Sequence, residues 1–186
     1  MNIPNILTSI RILLIPAFVL VFCLPIHSSH LIATLIFVLA AITDWLDGYL
    51  ARNLNQITKL GAFLDPVADK LMIASALVLI TGEFGSVYIT IPAAVIIGRE
   101  IVISALREWM AELGKRASVA VGFIGKIKTA VQMICLILLL LYTPHGMIIL
   151  KIFGVLLLYV SAGLTLWSMI MYLKIAWPDL TSSQQK

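Results

Sequence analysis

The chain has 186 residues, 61% of them apolar and only 12% charged, with a formal net charge of +4. Soluble domains are nearer half apolar and a quarter charged, so this composition argues against a water-soluble fold and for the bilayer as solvent. The small positive excess needs no nucleic acid, because orientation in a membrane and attraction to anionic headgroups account for it.

A helix needs roughly 20 apolar residues to span a bilayer. At the N-terminus, Pro4 suits a first helical turn, and Ile3, Ile6, Leu7 and Ile10 share one face. A short interfacial helix is expected there, turning into a first span over about Ile6–Leu24. That segment lacks a basic start and a small-residue cleavage site, so it reads as a span and not as a leader. Further spans are expected at about Leu31–Leu50, Leu60–Ile80, Val87–Met110, Phe123–Tyr142 and Ile148–Leu173. The predicted fold is all-α and polytopic: six transmembrane helices and the N-terminal interfacial helix, in one domain over residues 1–186. Cys23 and Cys135 both lie in apolar runs and read as buried free thiols. The tail "TSSQQK" is expected to be disordered.

The connections carry an orientation signal. "PIHSSH" and "TGEFGS" hold no Lys or Arg, whereas Arg52, Lys59, Arg107, Lys115, Arg116, Lys126 and Lys128 flank the alternate connections. By the positive-inside bias those connections, and both termini, are cytoplasmic. His27, His30 and His145 then fall on the outer side and receive no chemistry.

Between the second and third spans the apolar pattern breaks. "DWLDGYLARNLNQITKLGAFLDPVADK", Asp44 to Lys70, holds four aspartates. On a helix Asp44, Asp47, Gly48, Ala51 and Arg52 form one stripe. Thr58, Gly61, Asp65 and Asp69 form another on an antiparallel neighbour. With a rise of about 1.5 Å per residue, Asp44 and Asp65 each lie roughly 9 Å inside the cytoplasmic boundary. Intramembrane acids are expensive and generally functional. Four together cannot stay ionised and unpaired, and a divalent cation removes the conflict. Hard oxygen ligands favour Mg²⁺ or Mn²⁺, and Mg²⁺ held this way usually shares its shell with a substrate phosphate. Phosphoryl chemistry is therefore expected. Gly48 and Ala51 leave a gap on the carboxylate face, though close helix packing through small residues would need the same residues. Arg52 could grip a phosphate at the end of the stripe or snorkel to the headgroups.

The pattern Asp44-x2-Asp47-Gly48-x2-Ala51-Arg52-x8-Gly61-x3-Asp65-x3-Asp69 resembles, without departure, the motif of the CDP-alcohol phosphotransferase family. "NIPNILTSIR", "GREIVISALREWMAELGKR" and "GKIKTAVQM" resemble the bacterial branch that uses sn-glycerol 3-phosphate as acceptor. The resemblance implies that CDP-diacylglycerol gives its phosphatidyl group to sn-glycerol 3-phosphate, forming phosphatidylglycerophosphate and CMP. It implies that Asp44, Asp47, Asp65 and Asp69 hold one or two metals and that Asp69 is the base. Gly48, Arg52 and Thr58 would contact the CDP-lipid, with Ala51 in the same gap. Asn5, Thr8 and Arg11 would reach the nucleotide, the alternative being that they anchor the N-terminal helix in headgroups. A homodimer in the bacterial inner membrane, with the active site facing the cytoplasm, is implied as well.

The acceptor carries a phosphate and needs basic partners. Arg107 and Lys126 are the main candidates for glycerol 3-phosphate, with Arg99 and Lys128 behind them. The alternatives are that Arg107 pairs with Glu108 or a lipid, and that the lysines serve only topology. Glu100 lies deep enough to need a partner, with Arg99, Arg107 or a neighbouring helix as candidates. Rival readings are the same chemistry with serine, inositol phosphate or phosphatidylglycerol as acceptor, and, from another class, an ion-coupled transporter. Transporters favour midplane sites between repeated halves, and no repeat is visible.

Overall fold

A computed structural model describes residues 3–53, 59–112, 123–143 and 146–182. Six α-helices make up the described residues, and no strand occurs among them: α1 (Ile3–Cys23), α2 (Ser29–Asn53), α3 (Lys59–Phe84), α4 (Val87–Glu112), α5 (Phe123–Leu141) and α6 (Ile148–Ser182). The chain divides into two compact units. Unit 1 comprises Met1–Phe84 with Leu136–Ile152, and unit 2 comprises Gly85–Cys135 with Phe153–Lys186.

In unit 1, α1 packs along α2 and against α3. Its register on α2 is antiparallel: Arg11 meets Asp44, Phe18 meets Phe37 and Phe22 meets His30. Phe18 is fully buried, with ring centroids 5.9 Å from Phe37 and 6.4 Å from Phe22. Ala33, Ala40, Ala68 and Ala76 are buried as well, and such small side chains let helix backbones approach closely. At the far end the Lys151 ammonium lies over the rings of Phe84 and Tyr142, themselves stacked at 5.3 Å.

In unit 2, α4 buries Ile89, Ile96, Ile103 and Met110 at intervals of seven, with Pro92 and Arg99 on the same face. That spacing keeps one stripe of the helix inward. Gly85 takes a φ of 53°, a left-handed value that glycine adopts without a Cβ clash, and closes α3. The Ser86 carbonyl then accepts from the Ile89 and Thr90 amides to start α4. On α5 the Cys135 thiol donates to the Gly154 carbonyl of α6.

Two expectations are revised, and a third is met in part. No break separates an interfacial helix from the first span: α1 runs continuously from Ile3, since nothing between Pro4 and Pro16 interrupts helical hydrogen bonding. Cys23 is exposed, because it is the last residue of α1, whereas Cys135 is buried. Of the six expected spans, two helices are long and apolar enough to cross a membrane among the described residues, Val87–Glu112 and Ile148–Lys174. Leu7–Cys23, Ser29–Asp44 and Ile127–Leu141 are apolar but shorter, and α3 carries Asp65, Asp69 and Lys70 in its first half. Large apolar side chains nevertheless stand exposed on every helix, among them Leu13, Leu35, Phe63, Ile101, Ile134 and Trp167. A helix apolar around its whole circumference suits lipid or protein surroundings and not water.

Candidate active site

Three helices of unit 1 bring Asp44 and Asp65 together. α2 carries Asp44, α3 carries Asp65 and Asp69, and α1 supplies the groups that meet two of them. The buried Arg11 guanidinium donates from Nη1 to Asp44 Oδ1 at 2.6 Å. One turn earlier the buried Thr8 hydroxyl donates to Asp65 Oδ1 at 2.7 Å. Thr8 and Arg11 lie i and i+3 on α1, so one helical face serves both acids. Asp65 also bears electrostatically on Asp44, as two acids held on facing helices must. Asp69, one turn beyond Asp65, is exposed and has an interaction of its own.

Thr8 and Arg11 are thus placed on the carboxylates themselves. The side chains of Asp47, Gly48, Ala51, Arg52, Asn5 and Lys126, and the whole of Thr58, lie outside the described residues. Among the described residues no three His, Cys, Asp or Glu side chains converge as a metal site, the Asp47 carboxylate not being among them. The donor chemistry still suits a hard divalent ion. An ionised carboxylate has about four lone-pair positions on two oxygens, so one bond from Arg11 or Thr8 leaves coordinating capacity at Asp44 and Asp65.

A cavity of about 690 Å³ opens at the opposite end of unit 1, lined by Phe22, Cys23, His27, His30, Glu83 and Thr143 among others. Arg11 and Phe22 are eleven residues apart on α1, about 16 Å along its axis, so this cavity is separate from the carboxylates.

Unit 2 holds a second charged group. Glu100 Oε1 accepts from Arg99 Nη1 at 2.7 Å and from Lys128 Nζ at 2.5 Å. Arg99 Nη2 donates to Ser168 Oγ at 2.8 Å, and that hydroxyl donates to the Thr165 carbonyl. The guanidinium groups of Arg99 and Arg107 both lie over the Tyr172 ring, 5.9 and 5.7 Å from its centroid. Arg107 is exposed, while Arg99 and Lys128 are buried. Arg99 was a foreseen partner for Glu100, and a neighbouring helix was foreseen without the residue, Lys128, being named. Ser168 and Tyr172 were missed altogether. Their signal was present: Ser161, Thr165, Ser168 and Tyr172 recur at i, i+4, i+7 and i+11 in an otherwise apolar helix.

Comparison with known proteins places the chain in a family. The family model of CDP-alcohol phosphatidyltransferase matches residues 1–172. A curated relative from Shigella flexneri serotype 5b (strain 8401), named CDP-diacylglycerol–glycerol-3-phosphate 3-phosphatidyltransferase, is 58% identical over 179 residues, covering 96% of this chain and 97% of its own. The protein of that name from Escherichia coli (strain K12) matches with the same identity and coverage. With the family model matching residues 1–172 and relatives 58% identical over 96% of its length, this chain belongs to the CDP-alcohol phosphatidyltransferase family.

Proposed function

We propose that the protein transfers the phosphatidyl group of CDP-diacylglycerol to sn-glycerol 3-phosphate, releasing CMP and forming phosphatidylglycerophosphate. The observation that carries this reading is the near-full-length identity to relatives bearing that activity in their names. The gathering of Asp44 and Asp65 by α1 supports it at the level of chemistry.

In this reading an acceptor hydroxyl attacks the phosphorus that bears the diacylglycerol. A new P–O bond forms, the pyrophosphate P–O bond breaks, and CMP leaves with the electron pair. Asp69 takes the hydroxyl proton as the bond forms, since a glycerol hydroxyl is a weak nucleophile at neutral pH. Mg²⁺ or Mn²⁺ held by Asp44, Asp47, Asp65 and Asp69 would supply charge stabilisation of the pyrophosphate and of the departing CMP. Arg11 and Thr8 orient Asp44 and Asp65 from behind. Gly48, Ala51, Arg52 and Thr58 line the CDP-lipid, with Asn5 beside them. Arg107 and Lys126 take the acceptor phosphate, with Arg99 and Lys128 in support. Six spans, cytoplasmic termini, a cytoplasm-facing site in the bacterial inner membrane and a homodimer complete the reading. The exposed apolar side chains on all six helices support the membrane part of it.

The test is an acceptor panel. Purified protein is incubated with CDP-diacylglycerol, Mg²⁺ and one of glycerol 3-phosphate, serine, inositol phosphate or phosphatidylglycerol, and CMP release is measured. Release with glycerol 3-phosphate alone is the expected result. Release with another alcohol and none with glycerol 3-phosphate would overturn the choice of acceptor.

A further inference from the structure

Unit 2 gathers three cationic side chains and one anionic one, and the arrangement is more specific than charge balance requires. A single oxygen, Glu100 Oε1, receives both Arg99 and Lys128, which come from different helices. The Arg99 guanidinium is held at a second point by Ser168 on a third helix. The same guanidinium and that of Arg107 share the Tyr172 face. Arg99 and Arg107 are eight residues apart on α4, about 12 Å along the axis, so each side chain must lean toward the other to meet one ring. Like charges do not converge in this way unless something between them is attractive. The ring's negative face and the Glu100 carboxylate provide that attraction.

Burial sorts the cations. Arg99 and Lys128 are buried and direct their donors to Glu100 and Ser168. Arg107 is exposed and lies over the ring face. An aromatic face leaves the in-plane N–H groups of a guanidinium available to an anion. Among the described residues of this cluster, three cations and one carboxylate leave a formal positive excess, which suits a phosphate.

We propose that Glu100 and Tyr172 are positioning residues for the acceptor phosphate: Glu100 ties down Arg99 and Lys128, and Tyr172 aims Arg107. This deepens the reading of glycerol 3-phosphate as acceptor and rests on it. It departs from a simple electrostatic account in sign. Removing a carboxylate from a basic site raises its positive charge, and by charge alone that should tighten anion binding. If Glu100 positions the cations, its removal lets Arg99 and Lys128 repel each other and Arg107, and anion binding weakens.

The experiment measures KM for glycerol 3-phosphate and for CDP-diacylglycerol, with kcat, in detergent micelles at one salt concentration. Glu100→Gln should raise KM for glycerol 3-phosphate by about tenfold or more while KM for CDP-diacylglycerol stays within about twofold. Glu100→Asp should recover part of the loss. Tyr172→Leu, which removes the ring and leaves every charge in place, should raise the same KM by a few-fold, about 2 to 5. An unchanged or lowered KM for glycerol 3-phosphate in Glu100→Gln would overturn the proposal in favour of plain charge. A parallel rise of both KM values, with Glu100→Asp no better than Glu100→Gln, would overturn it in favour of a packing role. If the unmodified protein releases no CMP with glycerol 3-phosphate, the acceptor reading itself fails and takes the proposal with it.

Discussion

At Asp44 a buried guanidinium backs one member of a group of acids, whereas at Glu100 one carboxylate accepts from two bases, Arg99 and Lys128. The exposures show how the two arrangements differ. In unit 1 the minority ion is deep and the majority is open: the Arg11 side chain is 1% exposed and that of Asp44 is 45% exposed. In unit 2 the Glu100 side chain is 22% exposed, while those of Arg99 and Lys128 are 6% and 4% exposed. An acid backed by a buried cation still presents its outer oxygen to a ligand. A buried base that spends its donors on a carboxylate does not. The first cluster is therefore open to incoming ions through its majority groups. The second leaves recognition to Arg107, its exposed member among the described residues.

The largest effect should come from the acids. If Arg11 alone were sufficient counter-charge for them, divalent ions would be dispensable. Chelation should instead abolish CMP release, with Mg²⁺ or Mn²⁺ restoring it, because one guanidinium cannot balance four carboxylates in a low dielectric. Full activity in excess chelator would show that the acids work without a divalent ion.

A smaller but still large effect separates Asp69 from the acids that α1 gathers. Asp69→Asn keeps the shape and removes the basic oxygen. Turnover should fall by about 100-fold or more with CDP-lipid binding largely kept, as read by kcat and by equilibrium binding of the lipid. A loss of only a few-fold would remove the base from Asp69.

The smallest of these effects should come from the bases. Truncating one charged contact to a phosphate loses about 1.5–3 kcal/mol, so Arg107→Ala and Lys126→Ala should each raise KM for glycerol 3-phosphate roughly 10- to 150-fold. KM for CDP-diacylglycerol should hardly move. Lys115→Ala, in the connection "LGKRAS", should change neither value. Equal behaviour of all three variants would reduce the bases of α4 and α5 to orientation signals.

Most helix limits were legible, because the apolar runs are long and are bounded by Pro, Gly and charge. α4 and α5 begin where expected, at Val87 and Phe123. α6 overruns its expected end at Leu173 and reaches Ser182, since the signal that ended the span was a fall in hydropathy and not a helix breaker. Spacing put Asp44 on one helix and Asp65 and Asp69 on the next, and α2 and α3 carry them. The partners of the charges were not legible. Arg11 meets Asp44 only because α1 and α2 pair in one antiparallel register, and periodicity within a helix says nothing about register between helices. A partner for Glu100 on a neighbouring helix was expected, but not which residue, for the same reason: Lys128 lies 28 residues away, whereas Arg99 is adjacent in the chain.

The two cysteines have a practical consequence. Cys23 is exposed at the end of α1 and Cys135 is buried in α5, where it donates to Gly154. Thiol reagents react with accessible thiolates, so the folded chain carries a single reactive handle without engineering. A bulky, membrane-impermeant maleimide applied from either face of sealed vesicles would mark Cys23 only from the face on which α1 ends. The unaltered protein thus reports its own sidedness.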